Sequence, residues 1–382
     1  MAATMVLARA RLDLLWQALT ARGFQVLGPV VGEGAMLLGP VPDPSRLPAG
    51  LIDEQAPGRY RLLSDGYAGG RALFRWTLAA QGWKRFLLPP RRRLFAARRE
   101  GQGFHLLPAD EAGPAQAFFG VRPCELAAIR LLDRVFSRAG SEDPEYLARR
   151  AAVCLIGVDC TRAGSTCFCQ AMHCGPALGE GFDLGLTELA TPERHDFLLR
   201  AGSELGREIM AELGQRPATA DELALGHRLV AEAGKGMTRC LPEGLPELLC
   251  TQPDHPVWHE IGRQCLGCAN CTMVCPTCFC WAVEDTASLD GTESERWRRW
   301  DSCFSIEFSY IHGGAVRRDI AARYRQWLSH KLGTWHQQFG AAGCTGCGRC
   351  ITWCPVGIDL IAASALLAEA KGDGLAKSIC DG

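Results

Sequence analysis

This sequence has almost no charge bias: 41 Lys and Arg stand against 42 Asp and Glu, a formal net charge of −1. Nucleic-acid binding needs a basic stripe or tail, so no nucleic-acid partner is expected. Long apolar runs are missing too, and no stretch approaches the ~20 residues of a membrane-spanning helix. The opening MAATMVLARARLDLLWQAL lacks a sustained apolar segment with a small-residue cleavage site, and it has no twin Arg. A cytoplasmic location and no membrane span are therefore expected. There is no Walker A run, and no Gly-rich dinucleotide fingerprint lies between a strand and a helix, so the chain advertises no nucleotide site of its own. With 47% apolar and 22% charged residues, disordered and collagen-like readings are excluded as well.

Cysteine is the abundant residue, with 20 in 382 positions. A chain of this length can bury a full core without disulfides, and in a reducing compartment its cysteines are thiolates available to metal. They are clustered. Six lie between Cys124 and Cys174 and eleven between Cys265 and Cys354, while Cys240, Cys250 and Cys380 stand alone and read as buried thiols packing like small hydrophobes. This distribution divides the chain into an α/β region over residues 1–250 with one cysteine-rich loop, and a helical, ferredoxin-like cofactor domain over residues 256–382. Between them, GKGMTRCLPEGLPELLCTQPDHP mixes Pro, Gly and polar residues without a period and reads as a linker.

The strongest signal is a doubled motif. Cys265, Cys268, Cys271 and Cys275-Pro276 form one copy of C-x2-C-x2-C-x3-C-P; Cys344, Cys347, Cys350 and Cys354-Pro355 form the other. This is the bacterial run for a 4Fe–4S cluster, whose four corners need four converging thiolates. Gly267 and Gly346 let backbone amides approach the sulfur atoms, which tunes the cluster. The fourth Cys is expected to begin a helix and point away from its own loop. In two-cluster ferredoxins it ligates the other cluster, so one set is Cys265, Cys268, Cys271 and Cys354, and the other is Cys344, Cys347, Cys350 and Cys275. Zinc sites use two pairs of ligands and would leave the third and fourth Cys of each run without a role. Seven of the ten Trp fall between Trp258 and Trp353, and Trp281 and Trp353 are the expected shields of the clusters. Between the halves, Thr292–Trp300 and Arg317–Trp335 read as helices, giving a helical ferredoxin with a long insert.

In the first region, Arg11–Ala21, Leu198–Leu213 and Asp221–Ala233 read as helices, and Phe24–Val31 and Ala35–Leu38 as strands. Phe118–Val121 ends a strand, and Pro123 in a first turn puts Cys124 at a helix N-terminus, where the dipole favours a thiolate. AAVCLIGVDC is a buried strand emptying into a loop with Cys160, Cys167, Cys169 and Cys174, and Cys154 reads as packing. Three readings stay open for this patch: a third iron–sulfur cluster on Cys124, Cys160, Cys167 and Cys169; a reactive or flavin-adjacent thiol at Cys124; or structural thiols. Cys278, Cys280 and Cys303 are surplus in the cofactor domain. LPPRRRLFAARRE is either a docking face or, more simply, a solvated loop.

The stretches FFGVRPCELAAI, GSTCFCQAM, CLGCANCTMVCPTCFC, WDSCFSIEFSYIHGG, RYRQWLSHKLGTW and CTGCGRCITWCPVGID resemble the 4Fe–4S dicluster β subunits of cytoplasmic NAD(P)-linked nickel–iron hydrogenases of the sulfhydrogenase type. The iron–sulfur electron-transfer component of anaerobic sulfite reductase is similar. The likeness runs from about residue 80 to 360, and departs at His173-Cys174 and at Arg91–Arg93. It implies a non-catalytic electron-transfer subunit with two 4Fe–4S clusters. Its partners would be the hydrogenase small and large subunits, together with a flavin- and NAD(P)-binding subunit. The alternatives are a relay to a sirohaem sulfite reductase subunit, or a catalytic subunit that binds flavin itself.

Overall fold

The unbroken apolar runs of the first half become the centre of a mixed eight-stranded sheet in a computed structural model, which describes residues 4–108 and 113–369. In chain order the strands are β1 (Met5–Ala8), β2 (Gln25–Gly32), β3 (Ala35–Pro40), β4 (Leu51–Ala56), β5 (Arg59–Ser64), β6 (Arg91–Glu100), β7 (Gly103–Leu107), β8 (Gln116–Val121), β9 (Val153–Val158), β10 (Leu184–Ala190), β11 (His195–Ala201), β12 (Arg216–Pro217), β13 (Trp281–Ala287) and β14 (Glu293–Trp300). The main sheet runs β12-β1-β11-β10-β9-β8-β2-β3. Its neighbours β2, β8, β9 and β10 are parallel, and the outer pairs are antiparallel. Parallel strands are covered on both faces, which is why QAFFGV and VCLIGV carry no polar alternation. Cys154 in β9 is fully buried.

The helix Pro123–Phe136 leaves β8 and packs its Leu126, Ile129 and Leu132 stripe on the sheet. Helices Leu12–Ala21 and Ala220–Lys235 match the periodicity read from sequence. Leu198–Leu213 does not: His195–Ala201 is β11, paired to β10 and β1, and the helix covers only Glu204–Ala211 behind its Ser203 cap. A short apolar run satisfies either period, and sheet pairing settles it here.

A second core gathers helices Leu245–Thr251, Val257–Gln264, Ile320–Ser329 and Leu360–Glu369 around Trp258, Phe304, Tyr324 and Trp327. The expected linker is therefore part of this core. Leu245, Leu248 and Leu249 are buried at helical spacing behind a Pro in the first turn. Ile320–Ser329 continues through a π-helical turn, His330–Thr334, into Trp335–Phe339, close to the helix read over Arg317–Trp335.

The C-terminal part is not helical throughout. Thr292–Trp300, read as a helix, is occupied by β14, which joins a four-stranded sheet β13-β14-β6-β7. The charges that suggested a helix surface are cross-strand pairs: Arg296 with Asp285 at 2.7 Å, Arg98 with Glu293 at 2.9 Å and Arg93 with Glu295 at 3.2 Å. The run LPPRRRLFAARRE is accordingly not a solvated loop. It is mostly β6, and Arg92 is buried in an ion pair with Glu145. Residues from either side of position 250 thus share one sheet.

Candidate metal centres

Both copies of the motif fold the same way, for the same backbone reason. A left-handed residue follows the first Cys by two positions, Gly267 at φ +63° and Gly346 at φ +67°, and a second follows at Ala269 and Gly348. These turns aim the Gly267 N–H at the Cys265 Sγ and the Gly346 N–H at the Cys344 Sγ, each at 3.4 Å. One-turn helices follow, Asn270–Met273 and Arg349–Thr352. The fourth Cys comes after this turn and does not begin a helix, correcting the sequence expectation. Pro276 and Pro355 each open a turn just beyond it, and the Ile358 N–H donates to Cys354 Sγ at 3.3 Å.

Turning the fourth Cys away from its own loop brings it to the other. Cys354 lines one cavity with Cys265, Cys268 and Cys271, walled by Phe304, Tyr324 and Trp327. Cys275 lies near Cys344, Cys347 and Cys350, close enough for its charge to raise each of those thiols after burial has done so, Cys344 to about 12. Cys350 lines the first cavity as well, so the two runs stand face to face. Among the described residues no three donors close on a single metal ion, and thiols meant for the corners of a four-iron cube stand further apart than that. A donor set of thiols alone, with amides at the sulfurs, fits iron–sulfur clusters.

The aromatic walls are not those expected. Trp281 is 45% exposed and lines a different cavity, with Cys278, Cys280 and Cys303. Trp353 stacks on Tyr60 at 5.0 Å, and its carbonyl accepts from Asn270. Two buried lysines were also missed. Lys331, 5% exposed, donates to Cys275 Sγ at 3.3 Å, Thr277 Oγ1 at 3.1 Å and the Gly343 carbonyl at 2.9 Å. Burial pulls its pKa down, but the Cys275, Cys278, Cys344 and Cys350 sulfurs hold it well above the ordinary lysine value. Lys84 donates to the Cys278 carbonyl at 2.8 Å and sits over the Trp300 ring, and burial lowers its pKa. The signal for Lys331 was in the sequence: Trp327, Leu328, Leu332 and Trp335 share its helical stripe, so a charge interrupts an apolar face.

The second cysteine patch is packed against the second motif. Cys124, Cys167 and Cys169 cluster with Cys347, and Cys160 is buried beside Arg122. A buried ion pair, Glu125 with Arg349, joins the helix bearing Cys124 to the turn between Cys347 and Cys350. A hydroxyl chain does the same for the loop: Thr166 donates to Gln55 at 2.5 Å and meets Thr352 at 2.7 Å. Burial pushes the Cys124 thiol far up, and Cys169 and Cys347 add to this, which overrides the helix dipole and opposes a reactive-thiolate role. His173 is exposed, and Cys174 is half-buried. Of the lone cysteines, Cys250 is exposed and not buried as expected, Cys240 is half-buried and not among the free thiols, and Cys380 lies outside the described residues.

Residues 264–358 match the 4Fe-4S dicluster domain family. Sulfhydrogenase 2 subunit beta of Pyrococcus furiosus is 31% identical over 288 residues, covering 72% of this chain and 79% of that protein. No solved structure matches the chain.

Proposed function

Because the chain belongs to the family of sulfhydrogenase β subunits, with two 4Fe–4S clusters and a role in electron transfer, we propose that it relays single electrons between the small and large subunits of a nickel–iron hydrogenase on one side and a flavin- and NAD(P)-binding subunit on the other. In this reading Cys265, Cys268, Cys271 and Cys354 hold one cluster, and Cys344, Cys347, Cys350 and Cys275 hold the other. What supports it is that Cys354 shares a cavity with Cys265, Cys268 and Cys271, while Cys275 lies close to Cys344, Cys347 and Cys350. Such a crossing makes the two clusters immediate neighbours, as stepwise electron transfer requires.

Bound clusters supply reversible one-electron chemistry; the chain's own residues decide where and how readily it happens. The Gly267 and Gly346 amides donate to sulfur and favour the more negative, reduced state. Phe304, Tyr324 and Trp327 keep water from the first set. Cys268 is exposed, and Leu266 and Val356 beside it expose apolar surface, so this set supports docking of a partner protein. The second set is deeper, against Lys331. The proposed relay works in the cytoplasm and carries out no bond chemistry of its own; among the described residues no helix is long and apolar enough to cross a membrane.

Single cysteine replacements test the crossed ligation. Cys275→Ala should alter the EPR signal of the cluster held by Cys344, Cys347 and Cys350, and Cys354→Ala that of the other. Damage confined to the cluster of the mutated run would refute the arrangement.

A further inference from the structure

Four buried thiols outside the doubled motif converge from separate parts of the chain. Cys124 stands in the first turn of the helix that leaves β8, and Cys160 lies just past the end of β9. These strands are parallel neighbours, so their carboxyl ends open on one side of the sheet, where α/β folds place their sites. Cys167 and Cys169 follow on the next loop and pack with Cys124. Their C-x-C spacing would send two side chains along one extended strand, but the loop is curled. Cys167 N–H donates to the Gly164 carbonyl at 3.0 Å, and Cys174 N–H to the Cys169 carbonyl at 2.8 Å. All four thiols are free and buried.

A core built for packing alone gains nothing from thiols gathered out of three segments, where aliphatic side chains would bury more apolar surface. The surroundings also suit an anion. Arg122 is 2% exposed and lies close to the Cys160 thiol; one guanidinium nitrogen donates to the Phe74 and Trp76 carbonyls, and its Nε has no hydrogen-bond partner among the described residues. A buried cation of this kind is costly unless negative charge lies beside it, and four thiolates on a cubane supply that charge.

We propose that Cys124, Cys160, Cys167 and Cys169 hold a third 4Fe–4S cluster, in electronic contact with the second motif through Cys347. The inference rests on the relay reading above and extends it. Cys347 packs directly on Cys124, Cys167 and Cys169, so the order is third cluster, buried motif cluster, exposed motif cluster. Each transfer moves one electron, oxidising one cluster as its neighbour is reduced, with no atom exchanged. The relay then runs from the crevice beyond β8 and β9 to the surface at Cys268.

Anaerobically purified full-length protein should contain about twelve iron atoms and as many acid-labile sulfides, four per cluster. Cys160→Ser should lose about a third of the iron and one EPR signal after dithionite, while both motif signals persist. Cys174→Ser, on the same loop, should keep all the iron. A wild-type content of about eight iron atoms, with both motif signals present, would overturn the third cluster and leave the relay standing. Loss of the motif signals from wild-type protein would overturn the relay instead. Iron loss in Cys174→Ser would overturn the ligand set. Because the wild-type iron and spin counts decide the main point, poor folding of a variant does not remove the test.

Discussion

Lys331 shows how much one side chain sets in this protein. An ammonium buried on all sides costs several kcal/mol unless anions face it, and its hydrogen-bond partners include no carboxylate. The sulfur of Cys275 is its anion. Reduction adds one more negative charge to the cluster, so Lys331 stabilises the reduced form. Lys331→Met should therefore make the potential of the cluster on the Cys275 set more negative. At an effective dielectric of about 20 the lost interaction is on the order of 1–3 kcal/mol, or about 50–130 mV for a one-electron couple. An EPR-monitored redox titration reads this, and the cluster on the Cys265 set should barely move. Equal shifts in both clusters, or none, would sink the assignment. The sign with pH follows: a lysine held above its ordinary value stays charged below that value and loses the effect only as pH climbs past the raised one. The potential should thus be flat across neutral pH. At this scale the eight motif cysteines were fully legible, because their spacing is the ligand geometry. The lysine was legible only as a flaw in an apolar stripe, which says that it is buried but not against what.

Among elements, the two motif turns are alike in backbone and unlike in surroundings. A Cβ on Gly267 would meet nothing nearer than the Ile320 side chain at 3.6 Å. One on Gly346 would sit 2.5 Å from the Phe168 carbonyl oxygen and 2.6 Å from the Cys169 Cα. Both have positive φ, so each Gly→Ala carries about 1 kcal/mol of backbone strain. Gly346→Ala adds a backbone clash worth roughly 1–3 kcal/mol more. Urea unfolding should rank Gly346→Ala well below Gly267→Ala in stability, with iron lost from the Cys344 set first. Equal losses would mean that the loop over Gly346 is not firmly packed. Sequence reasoning succeeded where one element carries its own pattern, as in Ala220–Lys235 with its Thr219–Glu222 capping box, or β9. It failed at Glu293–Trp300 and at Leu245–Thr251. In the first, Arg and Trp pair across strands to residues far off in the chain. In the second, a Pro-rich stretch hides three buried leucines.

For the molecule as a whole, the two cores differ in what holds them. The sheet core has none of the proposed cluster ligands among its residues, whereas Cys265, Cys271, Cys344 and Cys350 pack against the helical core and are part of its filling. Structural metal sites contribute their binding energy to folding. Removing iron with a chelator should therefore lower the thermal midpoint and loosen Val257–Gln264 and Ile320–Ser329 while β8–β10 stay protected. Hydrogen exchange resolved by segment would show it, and uniform loss of protection would contradict it. The two cores do not part at residue 250: Leu245, Leu248 and Leu249 before it already fill the helical core, and Phe279 and Trp300 beyond it pack on the sheet core. The contacts that cross that position, β6 with β14 and Glu125 with Arg349, could not be read from sequence, because neither partner marks the other locally.

The proposed crossed ligation also bears on how the protein is made. A chain emerging from the ribosome presents Cys265, Cys268, Cys271 and Cys275 long before the second run exists, so under the proposed crossed ligation neither motif set is complete until that run has followed. Under that ligation a chain ended before Cys344 would leave both motif sites unfinished.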